Sequence, residues 1–193
     1  MCIRDRDKAL ALIEDALVAL APDDSKRAGL LSLGKRARQI LSSLHTLATN
    51  WFKRAQQSLL EGASDNALEF IKRSIELEPE NPEWWLLQAN AQLALAKAAR
   101  DAGNVRTADK LAGEAAQSFQ GVIAREPALL RQYLEAQFGS AECMLLLGKR
   151  KDALFWIDAA QRKLAKSIEA GAIKPEDAKE VQDRIDRLRR QAQ

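Results

Sequence analysis

The side chains able to do acid–base, nucleophilic or metal chemistry are few. The chain holds one histidine, His45, and two cysteines, Cys2 and Cys143. A general base needs a partner within hydrogen-bond reach, and a metal site needs several ligands at short spacing. His45 lies beside Leu44 and Leu47, with no second histidine, no cysteine and no acid close to it in the sequence. It reads as a structural or surface histidine. The two cysteines have no metal-ligand spacing and make no disulfide framework. Cys143 sits in the apolar stretch 141–147 and reads as a buried, reduced thiol. Asp5, Asp7 and the pair Asp23-Asp24 read as turn or helix-start acids. The nine glycines are scattered and form no loop that would cradle a phosphate. No catalytic residue, cofactor or metal is expected, and the chain is read as not an enzyme.

One charged segment has a function class of its own. Between Ser25 and Leu60 there are seven basic residues, Lys26, Arg27, Lys35, Arg36, Arg38, Lys53 and Arg54, and no acid. The plain reading is a solvated helix face. The alternative is a patch for nucleic acid or another anionic surface, although no reading motif or interleaved aromatics accompany it. The net charge of +3 adds little to either reading.

These residues must be carried by helices. Apolar residues make up 47% of the chain and charged residues 30%, which excludes a disordered chain. Alanine, leucine, glutamate, lysine, arginine and glutamine dominate, and all are helix formers. No apolar run reaches the roughly 18–20 residues of a membrane span, so no membrane insertion is expected. No signal peptide is recognisable, and a cytoplasmic address is the default expectation. Residues 1–6, Met-Cys-Ile-Arg-Asp-Arg, resemble a translated sequencing adaptor of the kind found at the start of metagenomic gene models. They are expected to be a scar, with the true upstream protein missing.

A period organises the rest. Trp85 follows Trp51, and Ala89 follows Ala55, at one and the same interval. In residues 48–81, Trp51 and Ala55 are followed by Gly62, then Ala67-x3-Ile71, then Pro79. Small Ala55 and Ala67 let two antiparallel helices approach. Trp51 and Ile71 fill the space beside them, Gly62 turns the chain, and Pro79 ends the second helix. Ala115-x3-Phe119 leads to Pro127 at the same remove as Ala67 leads to Pro79. The interval from Trp85 to Pro127 exceeds that from Trp51 to Pro79 by about four helical turns. Shared between two antiparallel helices, this lengthens each by about two turns. A third unit has Ala141, Gly148, Ala153 and Ile157 at matching intervals, and a half-unit with Leu10, Ile13, Ala16 and Pro22 precedes them all.

This pattern resembles the tetratricopeptide repeat family, whose period of about 34 residues is the interval between the paired Trp and Ala positions. Arg54 and Ser58 depart from its Leu and Tyr. The resemblance implies an all-α fold of antiparallel helix-turn-helix repeats stacked as a right-handed solenoid with elongated helices. Residues 7–171 are expected to form this domain and residues 172–193 a C-terminal capping helix. Helices are predicted over 7–20, 25–61, 64–78, 82–101, 105–125, 128–147, 150–170 and 175–191. The stripe Leu30, Leu33, Ala37, Ile40, Leu44, Leu47, Trp51, Ala55 and Leu59 predicts one long helix over 25–61. The alternative is a break at Thr49-Asn50. In the last helix, Ala178, Val181, Ile185 and Leu188 form an apolar face, with Glu180/Arg184, Asp183/Arg187 and Asp186/Arg190 as four-residue ion pairs.

The function the resemblance implies is a protein–protein interaction scaffold, of bacterial type, that holds a peptide or protein segment in a groove lined by first helices. The corresponding positions are Phe52, Gln56 and Leu59; Leu86, Asn90 and Leu93; and Phe138, Glu142 and Leu145. Only Asn90 matches the family's carboxylate clamp, so an amphipathic helix suits the groove better than a terminal carboxylate. Packing within the protein is the competing reading of the same residues. Trp84 is either inter-repeat packing or an exposed anchor, and Trp85 is core by its repeat position. Nucleic acid is the contrasting partner, through residues 26–54. A third reading is the regulatory repeat region of a longer enzyme. The apolar stripe of 7–20, left without its partner helix, is expected to promote self-association.

Overall fold

A computed structural model describes residues 11–13, 15 and 25–193, with the side chains of 25 and 26 set aside. Residues 1–6, and most of the predicted helix 7–20, lie outside the described residues; 11–13 and 15 are helical. Seven further helices follow: α1 (Ser25–Leu60), α2 (Ser64–Leu77), α3 (Pro82–Asp101), α4 (Val105–Ala124), α5 (Leu130–Leu146), α6 (Arg150–Glu169) and α7 (Pro175–Ala192). No strand occurs among the described residues. The fold is all-helical. None of the described helices is long and apolar enough to cross a membrane.

Local chemistry sets the ends. The Asn81 side chain accepts from the Glu83 amide at 3.0 Å, and Pro82 opens α3 with the φ a helix wants. Asn104 caps α4 through the Thr107 amide at 3.3 Å. At the other ends one turn recurs. Gly62, Gly103, Gly148 and Gly171 have φ of 75°, 78°, 70° and 65°. Each donates to the carbonyl three residues back, and the next residue donates to the carbonyl five back, as in Ala63 to Ser58 at 2.8 Å and Lys149 to Met144 at 2.8 Å. This is the glycine-terminated cap that satisfies the last carbonyls of a helix. Helix α5 starts at Leu130, two residues later than the pattern predicts. Glu126 takes φ 45° just before Pro127, and the chain stays non-helical through Leu129.

Contacts fix the direction of each helix. Along α3 and α4, Trp85 lies against Gly121, Gln92 meets Ser118 and Arg100 meets Asp109, so the two run antiparallel. Ala48 meets Ser74 and Trp51 meets Phe70 between α1 and α2 in the same sense. Arg150 meets Gln193 and Asp158 meets Arg189 where α6 faces α7. Each helix packs on the next, and α5 packs on both α3 and α7.

The core is built from small residues at matching places. Ala55, Ala89 and Ala141 are fully buried in α1, α3 and α5. Ala67 and Ile71 in α2, Ala115 and Phe119 in α4, and Ala153 and Ile157 in α6 are fully buried too. The two added turns in α3 and α4 repeat the device one heptad on, with Ala96 and Ala108 also fully buried. Alanine lets the helix axes approach, and the larger residue four positions later fills the resulting gap.

Helix α1 is continuous, which decides for one helix over a break at Thr49-Asn50. Its apolar stripe is only partly used. Leu33, Ile40 and Leu47 are 53%, 51% and 44% exposed, whereas Gly34 and Ala48 are buried. The first buried anchors of α1 against α2 begin at Ala48, because α2 is a 14-residue helix and ends beside that point. Farther up α1, Ile13 Cγ2 faces Gly34.

Two aromatic assignments change. Trp84, not Trp85, is the buried tryptophan, at 2% exposure, and its ring meets Phe52 with centroids 4.4 Å apart. Trp85 is half-buried, donates Nε1–H to the Pro79 carbonyl at 2.8 Å and lies under Arg125 at 4.4 Å. Trp51 is half-buried as well, stacked on Phe70 between Arg54 and Arg73. Ile71 fills the core position alone.

Candidate partner-binding face

The first helices α3 and α5 pack on each other, and α5 also packs on α7. The Phe52 and Trp84 rings join α1 to α3. On α3, Glu83, Asn90, Ala94, Lys97 and Asp101 are exposed, at steps of seven, four, three and four, so they form one stripe. Gln56 is exposed on α1. Asn90 and Gln56 are the two predicted groove residues that the fold leaves open to a partner.

The other predicted positions are taken by the protein itself. Phe138 is 2% exposed, packed among Leu134, Ile157, Ile185 and Leu188 where α7 covers α5. Trp84 is enclosed, as described, so it is no exposed anchor. Leu86 is half-buried against the cluster around Phe119, and Phe52 is half-buried against Trp84. Glu142 is tied on both oxygens: Lys97 Nζ lies 2.6 Å from Oε2 and Arg184 Nη2 lies 3.2 Å from Oε1. Arg184 also grips both oxygens of Glu135 at 2.9 and 2.8 Å and rests on the Phe138 ring at 4.6 Å. The three described residues Lys97, Glu142 and Arg184 thus clamp α3, α5 and α7 together.

That clamp displaces the ion pairs expected within α7. Arg184 turns to Glu135 and Glu142 rather than Glu180, and Arg189 pairs with Asp158 at 2.7 Å. A guanidinium shared by two carboxylates between helices, Nη1 on Glu135 and Nη2 on Glu142, part-shielded from water, outweighs a solvated i,i+4 pair worth about 0.2–0.5 kcal/mol. The apolar face behaves as the pattern requires, with Ile185 and Leu188 buried and Ala178 and Val181 packed beside them. Between the clamp and the end of α7 lies a cleft of about 500 Å³, lined by Lys97, Glu142, Leu145, Arg187 and Gln191 among others.

His45 has an acid after all. Its Nδ1 lies 2.7 Å from Glu78 Oε1. Glu78 Oε2 accepts from Trp84 Nε1 at 3.1 Å and from Asn81 Nδ2 at 3.3 Å. One carboxylate thereby joins α1, the end of α2 and the start of α3. Linear distance hides it, since 33 residues separate the pair. A signal existed: an acid at a helix C-terminus opposes the dipole and needs partners to sit there. Glu78→Ala is expected to lower stability by about 2 kcal/mol, because charged hydrogen bonds are worth ~1.5–3 kcal/mol and Trp84 Nε1–H is left unpaired. Chemical denaturation of the variant against the parent checks this.

Cys143 is buried and free. Burial pushes its thiol from the ordinary 9.0 up to about 12; the Glu142 carboxylate adds to the rise and Lys97 opposes it. The thiol keeps its proton and is no nucleophile at neutral pH. Because the folded state holds this proton more tightly than the unfolded chain, the thiol's contribution to stability is complete below pH 9. It is lost as pH rises towards about 12. Cys143 should therefore resist thiol reagents in the native protein at pH 8 and react on unfolding. Rapid native labelling at that position would contradict its placement.

Among the described residues no cluster of three histidine, cysteine or acidic side chains is placed to hold a metal. The buried hydroxyls serve helix packing: Ser74 donates to the Ala48 carbonyl at 3.0 Å and Ser118 to Gln92 at 2.8 Å. No known protein-family profile matches the chain, and no curated protein matches it.

Proposed function

We propose that the chain is a non-catalytic interaction scaffold of tetratricopeptide-like helix pairs, stacked as a right-handed solenoid, whose exposed first-helix stripe holds a peptide or protein segment. The observation that carries this reading is the recurrence of one unit. The glycine turn, the fully buried alanine of the first helix and the Ala-x3-apolar pair of the second return in the pairs α1–α2, α3–α4 and α5–α6. Stacked repeats of a helix pair would create an extended face rather than an enclosed pocket, and the packing of α3 on α5 supports such stacking. Helix α7 packs Ile185 and Leu188 on α5 and α6 and turns a charged side outward, as the proposed capping helix would. A cytoplasmic location belongs to the same proposal.

The binding face is the row of Asn90 and Ala94 on α3 with Gln56 on α1, all exposed. Amide and small side chains there suit hydrogen bonding to a peptide backbone, with half-buried Leu59 beside them on α1. A displayed random-peptide library tests this. Selected peptides should lose affinity roughly tenfold or more when Ala94→Arg fills the row, one lost anchor being worth about 1.4 kcal/mol. The melting temperature should not change, because Ala94 is exposed. No enrichment, or selected peptides indifferent to Ala94→Arg, would contradict the reading.

A further inference from the structure

Helix α1 carries a second surface, on its side away from Gln56. Residues 30, 33, 37, 40, 44 and 47 are all apolar and follow steps of three and four, the seam of a two-helix coil. Leu30, Ala37 and Leu44 are half-buried, and on one flank Gly34 and Ala48 are buried. The outer row Leu33, Ile40 and Leu47 repeats every seven residues and is open, at 53%, 51% and 44% exposure. Arg36, Ser43 and Asn50 line its free flank and are exposed. Arg54 continues the same row beyond Leu47, over the Trp51 ring at 5.0 Å. The row from Leu33 to Leu47 spans about 21 Å at 1.5 Å per residue, the reach of two to three heptads of a facing helix.

Charge selects what that helix is. Seven cations and no acid occur in the 36 residues of α1. A second copy of α1 would set like charge against like charge. Nucleic acid would leave the apolar row facing phosphates, and no Phe, Tyr or Trp occurs in α1 before Trp51 to stack on a base. We infer that the open seam of α1 docks an amphipathic helix of a partner protein whose apolar stripe is flanked by glutamate or aspartate. Apolar contacts with Leu33, Ile40 and Leu47 supply the affinity, and carboxylates opposite Arg36 and Arg54 set its register and orientation. This surface lies on the side of α1 away from Gln56 and shares no residue with the α3 stripe, so it stands or fails independently of that face.

The test uses the full chain and three-heptad synthetic helices with leucine seams, flanked by glutamate in one and lysine in the other, with binding read by fluorescence anisotropy. The glutamate peptide should bind and the lysine peptide should not. Ile40→Asp with Leu47→Asp should weaken binding roughly tenfold or more. Leu31→Asp, an equally exposed site on the opposite side of α1, should leave it unchanged. Circular dichroism should be the same for all variants, since these side chains are exposed. Equal binding of both peptides, binding of neither, or equal loss from Leu31→Asp would overturn the inference. So would a dimer in sedimentation that the Ile40/Leu47 change dissolves. Capture of a DNA duplex or phosphatidylserine vesicles by the parent, with no binding of the glutamate peptide, would overturn it in favour of an anionic surface.

Discussion

Replacing Phe119 by alanine is expected to cost about 3–5 kcal/mol of stability. Phe119 is the largest side chain with no exposed surface, and it fills the junction of α3, α4 and α5. Its neighbours Ala89, Ala115 and Ala136 are too small to close a cavity by moving rotamers. The void would stay open, and residual cavity volume is what makes such truncations expensive. A domain of this size has only about 5–15 kcal/mol in hand, so the variant should melt far below the parent. Calorimetry or denaturant titration measures the loss; a change under about 1 kcal/mol would mean that the α3–α4–α5 junction is packed otherwise.

Gly139→Ala should cost about 3 kcal/mol although it places a better helix former in the middle of α5. Alanine for glycine inside a helix is ordinarily worth about 1 kcal/mol in favour. Here the added methyl would stand inside the Phe119 ring, against three of its carbons at once. A buried ring in a close-packed core cannot withdraw, so α5 must shift or the ring must leave its rotamer. The two sites report on each other. In a Phe119→Leu background, Gly139→Ala should cost much less, giving a coupling of at least about 1 kcal/mol in a double-mutant cycle. Additive losses would show that ring and glycine do not touch.

Neither glycine nor ring is hard to see in the sequence, but their contact is. Phe119 was legible as the large residue four places after Ala115, because that spacing recurs with Ile71 and Ile157. Its partner was not. Gly139 has no matching glycine in the other first helices, and the Trp51–Trp85 interval does not carry on into α5. The helix ends at Gly62 and Gly148 were legible for a local reason: each glycine acts on its own few residues. Helix α5 escaped by two residues because Glu126 carries a positive φ without being glycine.

The candidate face was legible by half. Period alone finds which residues share a row, and it placed Gln56 and Asn90 on exposed helix surface. It cannot say which row another helix covers. Phe138 and Glu142 lie under α7, whose docking depends on Arg184 reaching Glu135 49 residues away and Glu142 42 residues away. The long apolar stripe of α1 correctly marked one continuous helix, but not which of its residues would be covered. Its spacing is that of a buried seam, yet α2 is too short to cover it, so Leu33, Ile40 and Leu47 remain at the surface.

The central claim is that first helices bind and second helices support. Hydrogen–deuterium exchange of the full chain, with and without a library-selected peptide, tests it most directly. The account predicts added protection in residues 50–60 of α1 and 86–98 of α3, with exchange in α2, α4 and α6 unchanged. Protection confined to α2, α4 or α6, with residues 86–98 unaffected, would contradict it.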